Sequence, residues 1–259
     1  MPIEFDEKAA RSLERSYQTP EIATTRRATL DALGLCTGEH AADMGCGPGF
    51  LVAEMAGMVG PEGRAVGIDT SPDMLALATN RTDNLPQVEV VDADLLHLPF
   101  EDGAFDALAC TQLLLFIKDI QRALAEMRRV LKPGGRIAII ETDWRGVVLN
   151  AEDDSLTRRM FAAWDAAAIS PNLPTRLKPA LLAAGFTGVG VEGVPIINTD
   201  FGRDGFSNGM LRGVAKKAQK DGAISDDEAT AWIDDLNTKD AEGAYFFCVN
   251  RFLFRAEKP

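Results

Sequence analysis

The stretch AADMGCGPGFLVAEMAG at residues 41–57 decides the fold of this chain. Small and apolar residues lead into Asp43, glycines follow at positions 45, 47 and 49, and an apolar helical pattern begins at Phe50. This order predicts a strand, a tight turn and a helix N-terminus, where free N–H groups and bare backbone let a ligand approach closely. The stretch therefore predicts a binding edge at the carboxyl end of a strand.

Short apolar runs and helical patterns alternate on both sides of this stretch. The predicted strands are residues 40–44, 64–68, 88–91, 105–110 and 136–142. The predicted helices are residues 21–34, 50–58, 72–80 and 119–131. Alternation with short links predicts an α/β fold, in which helices cover both faces of a parallel sheet.

The last third of the chain is richer in helical patterns. We predict helices at residues 153–168, 175–184, 206–220 and 225–237, and strands at 188–194 and 244–256. The last two helices lie between the last two strands. An excursion of that length predicts a helical insertion, at about 199–240, that covers a ligand site as a lid and hinges within 198–210.

Composition limits the classes of function. The chain has 259 residues, is 46% hydrophobic, and carries a formal charge of −12, which opposes binding to nucleic acid. It shows neither an apolar run long enough to cross a bilayer nor a signal-peptide pattern. Its four cysteines lack the CxxC spacing of a metal site. We expect a cytoplasmic protein without a metal, monomeric or homodimeric, that acts on a small molecule.

Carboxylates follow the next two predicted strands. Asp69 ends the second strand, 20 positions after Gly49, where a carboxylate can accept hydrogen bonds from both hydroxyls of a ribose. Asp92 ends the third strand, where it can accept from an adenine amino group. The alternatives are a helix cap at Asp69 and a surface acid at Asp92.

A dinucleotide is the first alternative ligand. Its fingerprint is G-x-G-x-x-G, in which the third glycine lets helix and strand pack closely. This chain has G-x-G-x-G, and Phe50 stands where the last glycine of the fingerprint belongs. The spacing therefore disfavours a dinucleotide.

Four segments together resemble a known family. They are ADMGCGPG (42–49), VGIDTSPDML (66–75), VDADLLHLPFEDGAFDALACTQLLLFIKD (91–119) and ALAEMRRVLKPGGRIAIIE (123–141). In this order they resemble the successive motifs of class I S-adenosylmethionine-dependent methyltransferases, especially the small-molecule group that includes the ubiquinone and menaquinone biosynthesis C-methyltransferases. The resemblance is strong over about residues 25–142. It implies a Rossmann-like, seven-stranded, mostly parallel sheet with an antiparallel last strand, and S-adenosylmethionine as cofactor.

The resemblance also implies a set of site residues. The glycine loop would pass beside the methionine tail, Asp43 would receive its ammonium, and Asp69 would bind the ribose. Residues 1–34 would form a helical arm over the cofactor, and residues 35–259 the methyltransferase domain. The implied cofactor-binding residues are Tyr17, Asp43, Gly45, Cys46, Gly47, Gly49, Asp69, Thr70, Met74, Asp92, Ala93, Thr111 and Gln112.

The acceptor side is less defined by sequence. Glu141 and Asp143 lie at the exit of the fifth strand and are candidate proton acceptors. Many relatives carry a histidine where this chain has Phe116, so we assign no histidine base and no catalytic residue. The predicted substrate-binding residues are Tyr17, Asp143, Trp144 and Asn208. The function implied is methyl transfer to a small molecule, and the alternative is a non-methylating or regulatory protein with the same fold and cofactor.

Overall fold

The computed structural model describes residues 14, 16–166, 169–170, 172–202 and 205–259. Its strands are β1 (His40–Met44), β2 (Arg64–Asp69), β3 (Val88–Asp92), β4 (Phe105–Thr111), β5 (Leu131–Leu149), β6 (Thr187–Asn198) and β7 (Phe247–Glu257). Its helices include α1 (Pro20–Leu33), α2 (Phe50–Val59), α3 (Pro72–Thr82), α4 (Ile120–Val130), α5 (Asp154–Asp165), α6 (Pro174–Ala183), α7 (Phe206–Lys220) and α8 (Asp226–Ala241). Each predicted strand and helix has a counterpart, β5, β6 and α8 are longer than predicted, and β7 begins at Phe247 rather than at 244. Residues 1–13 and 15 of the predicted arm and residues 167–168 of the predicted helix 153–168 lie outside the described residues.

The strands form one sheet in the order β3-β2-β1-β4-β5-β7-β6. β7 is antiparallel to both of its neighbours, β5 and β6, and the other pairs are parallel. This confirms the predicted Rossmann-like sheet. The strand order reverses between β1 and β4, and at such a point a crevice opens beyond the carboxyl ends of the strands.

Helices cover both faces of the sheet because alternate strand residues point to opposite sides. On one face Ala41 of β1 packs with Leu33 of α1 and Met55 of α2. On the other face Ala42 packs with Met127 of α4 and with residues of α6. Both faces of the central strands are therefore buried, as the apolar runs in the sequence predicted.

The predicted insertion forms a third apolar cluster. Trp232 of α8 and Leu211 of α7 pack with Met160 of α5 and with Phe247 at the start of β7. A capping box, in which Ser225 and Glu228 exchange side-chain and backbone hydrogen bonds, begins α8. The insertion is thus seated on the β5 and β7 end of the sheet, and its action as a lid stays a prediction.

Candidate active site

The turn between β1 and α2 depends on glycine for its backbone conformation. Gly45, Gly47 and Gly49 have φ values of 74°, 52° and 81°. A Cβ on Gly49 would lie 2.8 Å from the Cα of Ala78 in α3, so no side chain fits there. The N–H of Gly45 donates to the carbonyl of Ile68 at 2.8 Å, which ties the turn to the end of β2.

The Asp69 carboxylate organises the glycine turn and the start of α3 together. Its Oδ2 accepts from the N–H of Gly47 at 2.9 Å. Its Oδ1 accepts from the N–H groups of Thr70 at 2.8 Å and Ser71 at 2.9 Å. The N-cap of α3 is Ser71, whose hydroxyl accepts from the N–H of Met74. A carboxylate has about four acceptor positions, so Asp69 keeps capacity for a further donor such as a ribose hydroxyl.

Asp43 is a buried acid directly before the glycine turn. Its side chain is 1% exposed, and its Oδ1 has no hydrogen-bond partner among the described residues. Burial, and then the charge of Asp69, raises the pKa of the Asp43 carboxyl to about 7. Burial also raises the pKa of the neighbouring Cys46 thiol above its usual range. An orphaned buried carboxyl of this kind fits a ligand that brings a positive charge, as an amino acid tail does.

Tyr17 lies over the glycine turn. Its ring stacks on Phe50 with the centroids 6.2 Å apart, and its hydroxyl lies 3.5 Å from the position of a Cβ on Gly47. Its carbonyl accepts from Nη1 of Arg26 at 2.6 Å, which fixes the backbone against α1. Burial raises the pKa of the Tyr17 phenol to about 12. The structure thus brings Tyr17 to the turn, and its contact with a cofactor stays a prediction.

The predicted adenine side lies at the ends of β2 and β3. Asp92 is exposed and stands opposite Asp69 in the strand register. The N–H of Ala93 donates to the carbonyl of Asp69 at 3.2 Å, so in this geometry the Ala93 amide is engaged within the protein. Met74 is 2% exposed. Of the predicted adenine contacts, the Asp92 carboxylate is the one most open to a ligand.

The ends of β4 and β5 are joined by Gln112. It has φ 55°, a left-handed conformation that is uncommon outside glycine and that clusters at functional sites. Its N–H donates to the carbonyl of Ile140 at 2.8 Å, and its side-chain Oε1 accepts from the hydroxyl of Thr142 at 2.6 Å. Thr111, directly before it, is half-buried at the end of β4. Both residues therefore lie where the sequence placed them, at the crevice.

Glu141 is fully buried and holds the segment that follows β4. Its Oε1 accepts from the N–H groups of Leu113 at 3.2 Å and Leu114 at 2.7 Å. Its Oε2 has no partner among the described residues. Burial raises the pKa of the Glu141 carboxyl to about 8.

Asp143 and Trp144 follow Glu141 on β5. Asp143 is half-buried, and its Oδ1 accepts from the N–H of Arg145 at 3.2 Å and lies 3.7 Å from the guanidinium of the same residue. Trp144 is 8% exposed and meets Trp164 of α5 edge to face, with ring centroids 5.6 Å apart. The structure thus packs Trp144 against the insertion side of the site.

Asn208 is buried within the insertion. Its Nδ2 donates to the carbonyl of Phe201 at 2.8 Å, and its Oδ1 accepts from Nε of Arg212 at 3.0 Å. Both ends of its amide are therefore engaged inside the insertion. A contact between Asn208 and a substrate stays a prediction.

Sequence reasoning missed Arg251. This residue of β7 is 6% exposed, its Nη1 lies 3.5 Å from the hydroxyl of Thr25, and its guanidinium lies over the ring of Phe206 at 5.4 Å. The available signal was the period of two in the final strand. Val249 and Leu253 are buried, and Arg251 lies between them in the same phase.

Two cavities lie away from this edge. One of about 340 Å³ is lined by Arg64, Glu89 and their neighbours at the start of β2 and β3. The other, of about 410 Å³, lies between α7 and α8 and is lined in part by Arg212 and Asp234.

Within the described ranges, no cluster of histidine, cysteine and acidic residues is arranged to hold a metal. No helix among those same residues has the length and apolar character needed to cross a membrane.

Comparisons with known proteins agree with this geometry. A family model described as a methyltransferase domain matches residues 42–139. An uncharacterised 37.1 kDa protein of transposon TN4556 from Streptomyces fradiae is 34% identical over 259 residues, which are 98% of this chain and 70% of that protein. The demethylmenaquinone methyltransferase of Staphylococcus aureus (strain JH9) is 38% identical over 117 residues, which are 45% of this chain and 48% of that protein.

A solved structure shows the same fold. It is the phosphoethanolamine N-methyltransferase 2 of Haemonchus contortus in complex with S-adenosyl-L-methionine, with a TM-score of 0.66 and 19% identity over 100% of this chain and 58% of that chain. The chain thus spans about half the length of the staphylococcal and Haemonchus proteins. The chain belongs to the class I S-adenosylmethionine-dependent methyltransferase family. S-adenosylmethionine is the cofactor of this family, and methyl transfer is its reaction class.

Proposed function

We propose that this protein transfers the methyl group of S-adenosylmethionine to a small-molecule acceptor at the carboxyl edge of the sheet. The single observation that carries the proposal is the orphaned Oδ1 of buried Asp43, next to the glycine turn. That atom suits the ammonium of a methionine tail, whereas a phosphate there would meet a carboxyl group. Asp69 ends the neighbouring strand β2, where its carboxylate can accept from a ribose hydroxyl of the same cofactor.

The order of the strands separates a donor side from an acceptor side. Asp92 and Asp69 end β3 and β2, and Asp43 is the next-to-last residue of β1; these strands are neighbours at one side of the sheet. The ends of β4 and β5 and the start of the antiparallel strand β7 continue the same edge on the other side. We place the methionine, ribose and adenine parts over β1, β2 and β3. The acceptor then lies over β4, β5 and β7, beneath α7 and next to Tyr17.

Bound S-adenosylmethionine supplies a methyl group on a positively charged sulfur. An acceptor atom would take that group with its own electron pair as the carbon–sulfur bond broke, and S-adenosylhomocysteine would be left. The chain contributes alignment and exclusion of water, which matter most for a displacement of this kind. Gln112 and Glu141 serve alignment, because they fix the segment that follows β4.

The acceptor proton, where there is one, goes to Asp143 rather than to Glu141. With a pKa of about 8, the Glu141 carboxyl is mostly protonated at neutral pH, and its Oε1 already accepts two N–H groups. Asp143 is half-buried at the exit of β5 and is paired with Arg145 on one oxygen only. A carboxylate in that position can accept a proton in reach of the crevice.

Contacts between α1 and the insertion support a cover over the acceptor. Asn198, at the end of β6, donates through its amide to Glu21 of α1. The Oδ1 of Asn198 accepts from the N–H of Ser207 in α7 at 3.0 Å. One amide thus joins the helix that follows Tyr17 to the first turn of the insertion.

The charge of −12 and the four unpaired cysteines favour a cytoplasmic enzyme that acts on small molecules and not on nucleic acid.

Radiolabelled S-adenosylmethionine and a panel of small metabolites test the proposal. We expect S-adenosylhomocysteine to bind by calorimetry, NADH not to bind by fluorescence, and label to appear in at least one acceptor. Asp69→Ala should lower both binding and transfer, and its thermal unfolding should be checked as a control. Binding of S-adenosylhomocysteine with no label transferred to any acceptor would favour the non-methylating alternative.

A further inference from the structure

Arg251 is a buried cation without an acidic partner. Its side chain is 6% exposed, and its Nε has no hydrogen-bond partner among the described residues. The hydroxyl of Thr25, at 3.5 Å, is the one hydrogen bond recorded for its guanidinium within those ranges. No carboxylate of the described residues lies within ion-pair distance of it. A guanidinium offers five donors, so most of its capacity is unused.

The surroundings do not compensate this charge. Burial lowers the pKa of Arg251 to about 10, so the side chain remains protonated at neutral pH. The acidic groups whose charge it senses are the Tyr17 phenol and, after it, Glu141; burial raises the pKa of the phenol to about 12 and that of the Glu141 carboxyl to about 8. Glu141 is therefore mostly neutral at pH 7. Buried arginines are ordinarily paired, because an unpaired buried charge is costly. A group outside the described chain is the natural partner.

The position of Arg251 is on the acceptor side of the crevice. In the sheet it stands directly opposite Thr142, whose hydroxyl donates to Gln112 at the end of β4. Thr25 of α1 holds one end of the guanidinium, and the ring of Phe206 in α7 lies 5.4 Å from its centre. The side chain is thus fixed between α1 and the first turn of the insertion, where the proposed acceptor lies.

The carboxylate of the methionine tail is expected to lie nearer to Asp43 than to Arg251. β7 is the third strand from β1 in the sheet, so Arg251 and Asp43 are about 14 Å apart across the strands. The ammonium and carboxylate of an amino acid share one carbon, so both stay near Asp43. With the methionine tail held at Asp43, the partner that we infer for Arg251 is a second molecule.

We propose that Arg251 binds an anionic oxygen group, a carboxylate or a phosphate, on the methyl acceptor. The inference rests on the proposed function and adds the charge class of the substrate. A planar guanidinium matches two oxygens of such a group at once, and Phe206 beneath it keeps the plane in place. The acceptor then lies with its anionic end at β7 and its reacting atom toward β4.

Calorimetry on the full chain saturated with S-adenosylhomocysteine tests the inference. The probes are benzoate and phenyl phosphate, and benzamide is the neutral control. We expect at least one anion to bind the wild type more than ten-fold more tightly than benzamide. Arg251→Gln should weaken that binding at least ten-fold and leave the affinity for S-adenosylhomocysteine unchanged. Arg255→Gln is the matched control, since Arg255 lies on the same strand but is exposed, near Glu192.

A second variant separates binding from folding. Arg251→Met keeps the side-chain volume and removes the charge, so a residue that serves a ligand should give an unchanged or higher Tm. A large fall in Tm would mean that Arg251 is structural and would overturn the inference. Failure of both anions to bind, or equal loss of S-adenosylhomocysteine affinity in Arg251→Gln, would also overturn it. Failure of the wild type to bind S-adenosylhomocysteine would instead overturn the proposed function.

Discussion

The proton on Asp43 should control the pH dependence of cofactor binding. The carboxyl is 1% exposed, and burial together with Asp69 raises its pKa to about 7, against an ordinary 3.8. The ammonium of a bound cofactor next to this group favours the charged form, so the pKa falls when the cofactor binds. Binding at pH 6 should therefore release a proton from Asp43, and affinity should rise as the pH rises.

The size of the effect follows from the pKa of about 7 in the cofactor-free protein. The carboxyl is ionised in about 1% of molecules at pH 5 and in about half of them at pH 7. Affinity for S-adenosylhomocysteine should therefore rise about 50-fold between pH 5 and 7, and about two-fold more at higher pH. The α-carboxyl of the ligand titrates below this range and its α-amino group above it. Near pH 6, about 0.9 proton should leave for each cofactor bound.

Calorimetry in two buffers of different ionisation enthalpy measures both quantities. Asp43→Asn should bind more weakly and show neither the rise in affinity nor the proton release. Glu141→Gln is the matched control, because it removes the other buried carboxyl of raised pKa and should keep the rise. A wild type whose affinity is constant between pH 5 and 7 would refute the reasoning. So would a pH dependence that survives in Asp43→Asn.

Three further outcomes are expected. Asp69→Ala should weaken S-adenosylhomocysteine binding by about 2–3 kcal/mol, because a ribose hydroxyl and the N–H of Gly47 in the glycine turn both lose their acceptor; unchanged calorimetric affinity in a folded variant would contradict this role. Glu141 has a pKa raised to about 8 in the folded state, so its contribution to stability is complete below about pH 4.5 and is lost as pH rises toward 8. Glu141→Gln should therefore reduce the fall in the free energy of unfolding with pH, by up to about 1.4 kcal/mol per pH unit. Urea unfolding from pH 5 to 8 measures that fall, and equal slopes in the wild type and the variant would argue against this role of Glu141. Residues 206–240 should gain hydrogen-exchange protection when S-adenosylhomocysteine and benzoate are both bound; full protection in the ligand-free protein would count against a lid.

The fold was predictable from sequence where local pattern decides it. The bounds of β1, predicted as 40–44, are confirmed as His40–Met44. β5 was predicted as 136–142 but spans Leu131–Leu149. Its extension depends on antiparallel pairing with β7, which resumes at Val148 opposite Cys248 after a register shift. Pairing with a strand about 100 residues further along the chain leaves no pattern in the local sequence, so the end of β5 could not be predicted from it.

The candidate site likewise contains residues that the sequence predicted and residues that it did not. The glycine turn and Asp69 carry spacing that a single sequence displays, and the structure brings them together. Arg251 carries no motif, because its burial depends on α1 and α7 closing over β7. Asn208 shows the converse case. A polar residue in a glycine-rich segment suggested a ligand contact, yet the structure engages its amide with Phe201 and Arg212. Sequence displays which groups are polar, whereas packing determines which of them remain unpaired.

Opposite charges at the two ends of the crevice give a final prediction about product release. We place the transferring methyl group at the end of β4, two strands from Arg251, so an anion held by Arg251 lies about 10 Å from it. The donor sulfur is positively charged before transfer and neutral afterwards, so at an effective dielectric constant of about 30 the anion loses an attraction of about 1 kcal/mol when the reaction is complete. Benzoate should therefore bind the complex with S-adenosylmethionine about five-fold more tightly than the complex with S-adenosylhomocysteine. Calorimetry measures the ratio, and Arg251→Gln should remove it by removing anion binding. Equal affinities in the two wild-type complexes would show that the anion and the sulfur do not share one crevice.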